Sequence, residues 1–293
     1  MPSELWDFFW CNRFLLNLIA AEAANAIKII AHKKKVNPGI FIAIHTFGRD
    51  LKRNVHIHIS TTTGGLSHDN TQWKNVFFDQ NTLMKIWRYA IISLFRKTQS
   101  QLVIPPHIKK QLNHTFTFAQ FLDKLYKKHW IVHCSKPSDD PKFNISYLGR
   151  YIKRPAIAES KLKHYNGNEV VFNYLDHNTK TYRQFKLSAE QFIARFIQHI
   201  PDKGFRMIRY YGFLAHRVRG KLLPIVYQLL NQVNNIPPSP PTYAALIQKN
   251  FNFDPLTCVL CGSPLILIKI HQSKFTANSL FSFHRQLALS KKI

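Results

Sequence analysis

The chain has 293 residues and a formal net charge of +26 at pH 7, because 41 lysine and arginine residues face only 15 acidic residues. Hydrophobic residues make up 45% of the chain and aromatic residues 13%, which is enough for a folded core and excludes a disordered basic tail. So large a positive excess indicates a polyanionic partner, either nucleic acid or an anionic membrane.

The N-terminal segment lacks the pattern of a secretory signal. Glu4 and Asp7 precede its apolar run, and Arg13, Glu22 and Lys28 interrupt it. Later apolar runs are shorter than the ~20 residues that span a bilayer, so a membrane protein is not expected. Four cysteines in so long a chain do not make a disulfide framework, which indicates a reducing, intracellular compartment.

Periodicity and turn residues predict an alternation of helices and short strands. Helices are predicted at 4–35 (one helix or two joined at a kink), 82–97, 117–129, 144–154 and from Ser188, which precedes Gln191 in a capping-box pattern. Strands are predicted at 40–47, 55–61, 130–134, 169–175, 181–187 and 205–211, with a turn at 62–65. This order predicts an α+β fold in which helices pack on a mostly antiparallel sheet.

The chain changes in composition after about residue 230. A stiff proline-rich linker is predicted at 231–243, and a short C-terminal tail at 244–293. The tail contains Cys258-Val259-Leu260-Cys261-Gly262, which is half of a tetrahedral Zn²⁺ site. His271 and His284 could complete the site; the alternative is a turn with two reduced thiols.

The segment 55–60 reads Val-His-Ile-His-Ile-Ser. Because side chains alternate along a strand, His56 and His58 share one face, and Val55, Ile57 and Ile59 point into a core on the other. Their Cα atoms would lie roughly 7 Å apart, close enough for the two imidazoles to hold one metal ion. The alternative is a pair of solvent-facing histidines.

Two tyrosines follow at helical spacing in Tyr147-Leu148-Gly149-Arg150-Tyr151. Residues i and i+4 share a helix face, so Tyr147 and Tyr151 would stand side by side, with Arg150, Lys153 and Arg154 nearby. A tyrosine can attack a phosphodiester and keep the phosphate, while basic residues hold the DNA strand. The alternative is a pair of ordinary core or surface aromatics.

The two motifs together resemble those of the HUH endonucleases. Longer blocks resemble the catalytic core of bacterial two-tyrosine rolling-circle insertion-sequence transposases, and the resemblance covers about 1–230. These blocks lie at 43–51, 56–58, 64–66, 146–155 and 205–214. The resemblance implies an HUH-like domain over 1–230 that acts on single-stranded DNA in the bacterial cytoplasm, at the nucleoid.

The resemblance also implies roles for individual residues. His56 and His58 would bind Mg²⁺ or Mn²⁺, with His45 or Asp50 as a third ligand. Tyr147 or Tyr151 would attack first, keep the 5′ phosphate and release a 3′ hydroxyl; the order is left open. The residues expected to contact DNA phosphates include Arg150, Lys153, Arg154, Arg206 and Arg209, and those expected to stack on unpaired bases are Trp130, Tyr210 and Tyr211.

The chain departs from the family at its front. Family members usually begin with a cysteine-rich zinc-binding module and a first catalytic strand, and the chain shows neither, so it resembles an N-terminally truncated member. One alternative function is therefore a catalytically inactive DNA-binding remnant. Another is a replication initiator or relaxase of the same fold, although those proteins do not share both the 147–155 and the 205–214 blocks.

Overall fold

A computed structural model describes residues 1–112, 116–138, 140, 146, 149, 156–176, 179–232, 241–258 and 260–266. The chain divides into two compact units, Met1–Asn234 and Asn235–Ile293. Among the described residues, the helices are α1 (Trp6–Cys11), α2 (Leu15–Lys33), α3 (Gln80–Thr98), α4 (Pro106–Lys109), α5 (Phe118–Lys127), α6 (Ala189–Ile197), α7 (His216–Leu229) and α8 (Tyr243–Phe251). The strands are β1 (Val36–Phe47), β2 (Arg53–Ser67), β3 (Trp73–Asn75), β4 (Leu162–Tyr165), β5 (Glu169–Leu175), β6 (Tyr182–Ser188) and β7 (Ile208–Gly212).

The strands form two antiparallel sheets, which confirms the predicted α+β class. The larger sheet has the order β3-β2-β1-β7, and the smaller one has the order β4-β5-β6. One face of the larger sheet packs on α2 and builds the main core together with α1, α3 and α5. The sheet residues in this core include Ile40, Ile42, Ile44, Val55, Ile57 and Ile59.

Helix α2 is long and apolar enough to cross a membrane by length and composition alone. Ten of its residues, among them Leu16, Ile19 and Ile27, are buried in the protein. The helix also contacts β1 and α3 directly. These contacts are those of a core helix, so its apolar composition is explained by packing against the sheet.

The N-terminal helical pattern is broken at Asn12, so α1 and α2 are two helices joined at a kink. Asn12 is buried, and its amide nitrogen donates to the carbonyls of Phe8 and Val103 at 3.0 and 2.8 Å. Its amide oxygen accepts from the Val103 N–H at 2.7 Å. These bonds tie the break between the two helices to the backbone of Val103, a residue that follows α3.

The predicted turn at 62–65 is wrong, because β2 runs on through it to Ser67. A shift in register between Pro38 and Ile40 absorbs the extra residues of β2, and Gly65 then pairs with Pro38. A Cβ atom on Gly65 would lie 2.4 Å from the Asn37 carbonyl oxygen. The glycine here permits close backbone approach rather than a turn.

The smaller sheet contains the predicted hairpin, with β5 and β6 paired from Glu169↔Ser188 to Leu175↔Tyr182. The Ser188 side chain accepts from the Gln191 N–H at 3.1 Å and caps α6, as predicted. Phe172 is fully buried and contacts the Phe192 ring of α6 at 5.9 Å.

The predicted strand at 130–134 is wrong, since no strand forms there. Trp130 is 1% exposed, and its indole N–H donates to the Leu125 carbonyl at 2.9 Å. This bond satisfies the polar end of a core side chain. The prediction that Trp130 stacks on DNA bases is therefore wrong as well.

Candidate metal centre

Three histidines meet on the face of the larger sheet that is turned away from α2. The imidazole nitrogens of His45, His56 and His58 that could serve as ligands lie within 4.8 Å of one another. The ring centroids are separated by 5.4 Å for His45–His56, 4.7 Å for His45–His58 and 4.9 Å for His56–His58. The three rings therefore stand at the corners of a nearly equilateral triangle.

Strand pairing produces this arrangement. His45 of β1 lies directly opposite His56 of β2, and Ala43 lies opposite His58. All four side chains share one face because the strand period is two, as predicted for His56 and His58. Since Ala43 has only a methyl group, the His58 ring can lean toward His45.

The neighbours of the triad orient its rings. The Nδ1 atom of His56 lies 2.7 Å from the Asn54 carbonyl oxygen. A carbonyl only accepts, so Nδ1 donates to it, and Nε2 is the ring atom that could bind a metal. The His45 ring is 4% exposed and stacks on Phe47 at 5.2 Å.

The donor set fits a divalent metal ion. Neutral imidazole nitrogens are common ligands of first-row divalent ions. Three donors on one side of an ion leave its other positions to water or substrate oxygens. Mg²⁺ prefers an all-oxygen shell, so it is the weaker match to these residues.

Asp50, the other predicted candidate for third ligand, lies outside the triad. Its carboxylate accepts from the Lys52 N–H at 3.3 Å and pairs with the Lys52 ammonium at 3.0 Å. Both contacts belong to the turn between β1 and β2, where buried Leu51 has a φ of +61°. Of the two candidates, the structure therefore brings only His45 to His56 and His58.

Sequence reasoning missed a fourth histidine beside the centre. His199 is 8% exposed; its Nδ1 lies 3.1 Å from the Thr46 hydroxyl, and its Nε2 lies 3.0 Å from the Leu51 carbonyl. Nε2 must donate to the carbonyl, so Nδ1 accepts from the hydroxyl. Burial lowers the pKa of His199, and the positive charges of Arg53 and Arg13 lower it further. His199 thus links the end of β1 to the turn between β1 and β2, and no local sequence pattern marks it.

The predicted tyrosine helix falls largely outside the described residues. Ser146 and Gly149 have helical backbone. The predicted residues outside the described part are Tyr147, Arg150, Tyr151, Lys153 and Arg154.

Two of the predicted DNA contacts differ in surroundings. Arg206 is exposed. Arg209 is half-buried, donates to the Arg206 carbonyl at 3.2 Å and to the Asn17 side chain, and lies over the Phe205 ring at 5.3 Å. The Arg209 guanidinium therefore ties the segment before β7 to α2.

The second unit contains the cysteine motif. The Gly262 N–H donates to the Cys258 carbonyl at 2.9 Å, and Thr257 forms a bridge with Pro264. Hydrogen bonds from Ser263 and from Cys258 lower the pKa of the Cys261 thiol. This favours the thiolate that a zinc site requires. His271 and His284, the predicted additional ligands, lie outside the described residues.

Comparisons with known proteins place the chain among transposases. It is 40% identical over 269 residues to the "Transposase for insertion sequence element IS801" of Pseudomonas savastanoi pv. phaseolicola, a match that covers 91% of this chain and 65% of the relative. It is 30% identical over 241 residues to the "Putative transposase y4qJ" of Sinorhizobium fredii (strain NBRC 101917 / NGR234), covering 78% of this chain and 60% of the relative. The chain thus spans less than two thirds of either relative, and no solved structure matches it. The Y2_Tnp family model, described as "Putative transposase", matches residues 39–221, which is more than half of the sequence, and the chain belongs to this transposase family.

Proposed function

We propose that the chain cleaves and rejoins single-stranded DNA in the rolling-circle transposition of an insertion sequence. The observation that carries the proposal is the convergence of His45, His56 and His58 on one sheet face in a member of a transposase family. When bound there, a divalent ion such as Mn²⁺ or Mg²⁺ would polarise the scissile phosphate.

The reaction would proceed through a tyrosine. The phenol oxygen of Tyr147 or Tyr151 attacks the phosphorus, and the bond to the 3′ oxygen of the preceding nucleotide breaks. The proton lost by the phenol is balanced by the proton that the leaving 3′ oxygen gains. One phosphodiester replaces another, so the bond energy is kept. The second tyrosine can cleave the other strand end in the same way, and the 3′ hydroxyl released there can attack the first phosphotyrosine and displace the phenol, so joining needs no ATP.

The charge of the chain supports a DNA substrate. A net charge of +26 attracts a phosphate backbone, and each phosphate contact releases counterions. The curated relatives are named as transposases, one of them for an insertion sequence element. We propose that this chain likewise acts as a transposase of an insertion sequence, and that it does so in the bacterial cytoplasm at the nucleoid.

A covalent-adduct assay tests the proposal. Labelled single-stranded oligonucleotides that cover both ends of the encoding element are incubated with the purified chain and Mn²⁺, then separated under denaturing conditions. The wild type is expected to retain label, and Y147F/Y151F to lose it. The matched control is Y182F/Y243F, because Tyr182 and Tyr243 are exposed phenols remote from the motif in sequence, 70% and 73% accessible.

The same assay separates the alternatives. An H56A/H58A variant is expected to form no adduct at any metal concentration while still binding DNA. An unchanged adduct in Y147F/Y151F would overturn the tyrosine assignment. Salt-dependent DNA binding by the wild type, without cleavage in any metal, would identify a non-catalytic DNA-binding remnant instead.

A further inference from the structure

A cleft of about 570 Å³ follows the outer edge of β7. Strand β7 stands last in the order β3-β2-β1-β7 of the described strands. The cleft is lined by Asn17 of α2, by the segment before β7, by β7 itself and by the start of α7. Among the lining residues are Lys203, Arg206, Tyr210, Tyr211 and His216.

Tyr210 lies on the same sheet face as the histidine triad. Ala43 of β1 pairs with His58 of β2 on one side and with Ile208 of β7 on the other. Tyr210, two residues after Ile208, pairs with Phe41. Two strand spacings across and two residues along give a separation of about 12 Å between the Cα atoms of His58 and Tyr210. A few nucleotides of extended single strand would span this distance.

The Tyr211 side chain lies on the opposite face of the larger sheet, the face that packs on α2. It packs against the main core, and the Lys28 ammonium lies 5.4 Å from its ring centroid. The sequence gives Tyr210 and Tyr211 the same predicted role in base stacking, and the structure distinguishes them by the sheet face on which each lies. Only Tyr210 is turned toward the metal-bearing face.

The Tyr210 ring stands in an aromatic corner. It meets the Phe41 ring at 5.6 Å and the His216 ring at 5.3 Å, both edge to face. The Ile44 N–H donates to the Met207 carbonyl at 2.9 Å, so by strand alternation the peptide groups of Ile208 and Tyr210 point away from β1. The corner thus joins an aromatic surface to peptide donors and acceptors at the cleft.

The charges of the cleft are mostly positive. Lys203 and Arg206 are exposed, and neither forms an ion pair within the described chain. The carboxylate of Asp202 is engaged by Arg13 at 3.6 Å, and Arg209 is held by Asn17. Two cations therefore remain at the cleft for an anionic ligand.

We propose that this cleft binds an unpaired DNA base near the scissile phosphate, with the base stacked at Tyr210 and the flanking phosphates contacted by Lys203 and Arg206. The proposal deepens the proposed function and rests on it for the identity of the ligand. Aromatic stacking with cationic phosphate contacts is the usual chemistry of single-strand recognition.

The test compares two probes of equal charge, a twelve-nucleotide thymidine strand and an abasic strand of the same length, by fluorescence anisotropy. The wild type is expected to bind the thymidine strand about tenfold more tightly. Y210A is expected to lose that preference, whereas Y210F keeps it. Y182A, which removes an exposed tyrosine of the smaller sheet, is the matched control and keeps it too.

Folding and phosphate contacts are checked separately. Each variant must melt within a few degrees of the wild type, and Y210F guards against a packing effect of Y210A. A K203A/R206A variant should reduce the slope of log affinity against log salt by about 1.4, since each phosphate contact of a single strand contributes about 0.7. A folded Y210A that still prefers the thymidine strand would overturn the proposal.

Failure of this proposal is distinguishable from failure of the proposed function. H56A/H58A should abolish the covalent adduct and leave the thymidine preference intact. Y210A should weaken binding and so raise the DNA concentration that gives half-maximal adduct formation. A wild type that prefers thymidine but forms no adduct would refute the catalytic proposal alone.

Discussion

His45 is the residue whose removal most sharply tests the metal centre. An ion that binds only the folded chain stabilises it by RT ln(1 + [L]/Kd), about 2.7 kcal/mol when the ion is at one hundred times its Kd. For a unit of this size, 1 kcal/mol corresponds to roughly 2–4 °C of melting temperature, so saturating Mn²⁺ should raise Tm by about 5–10 °C.

His45→Ala leaves the two imidazoles of His56 and His58 as ligands. If this raises Kd a hundredfold, the same Mn²⁺ concentration gives only about 0.4 kcal/mol of stabilisation, or about 1 °C. The substitution also removes a ring that is 4% exposed and stacked on Phe47, so the metal-free protein should melt lower than the wild type.

The assay is thermal unfolding across a Mn²⁺ series, with EDTA as the metal-free reference. His199→Ala is the matched control, because His199 is also buried but bonds Thr46 and Leu51 rather than the triad. His199→Ala should have a lower Tm than the wild type in EDTA, but Mn²⁺ should raise its Tm by the same amount as in the wild type. A full Mn²⁺ shift in H45A would refute the assignment of His45 as a ligand.

Three further substitutions test the fold of the first unit. Gly212→Ala should lower the free energy of unfolding in urea by about 3 kcal/mol or more, because φ is +62° and a Cβ atom would clash with the Pro38 carbonyl oxygen. Gly220→Ala is the control and should not destabilise the protein, because a Cβ atom there would meet nothing within 4 Å. Because the pKa of His199 is lowered in the folded protein, the unfolded chain binds a proton at this histidine at a higher pH than the folded chain does. The free energy of unfolding should therefore fall as pH drops below about 6.5, and the same dependence on pH in His199→Gln would contradict this. Thr117→Ala should cost about 1 kcal/mol, because the capping box with Gln120 is lost; an unchanged urea midpoint would count against it.

Local patterns in the sequence predict the elements that local forces determine. The shared face of His56 and His58 follows from the period of a strand, and the β5–β6 hairpin follows from two alternating runs around a polar turn. The Ser188 cap is likewise a matter of a hydroxyl and an N–H three residues on. These features need no knowledge of distant residues.

Non-local pairing decides the features that the sequence leaves open or leads one to predict wrongly. His45 and Asp50 are equivalent candidates until the register of β1 against β2 sets His45 opposite His56. Gly64 and Gly65 resemble a turn because the close approach of Trp73 to Gly64 and of Asn37 to Gly65 is not visible in the sequence. Trp130 looks available for stacking because its burial comes from packing of distant segments.

The identity of the nucleophile can be measured directly. Trypsin should separate the two tyrosines, since Tyr147 falls in the peptide 143–150 and Tyr151 in the peptide 151–153. After reaction with a single-stranded element end and Mn²⁺, mass spectrometry of the digested adduct should find a 5′-phosphorylated nucleotide on one or both of these peptides. The modified peptides should be absent with EDTA and in H56A/H58A. DNA attached to any other peptide, or attached without metal, would contradict tyrosine-mediated cleavage at a histidine-bound ion.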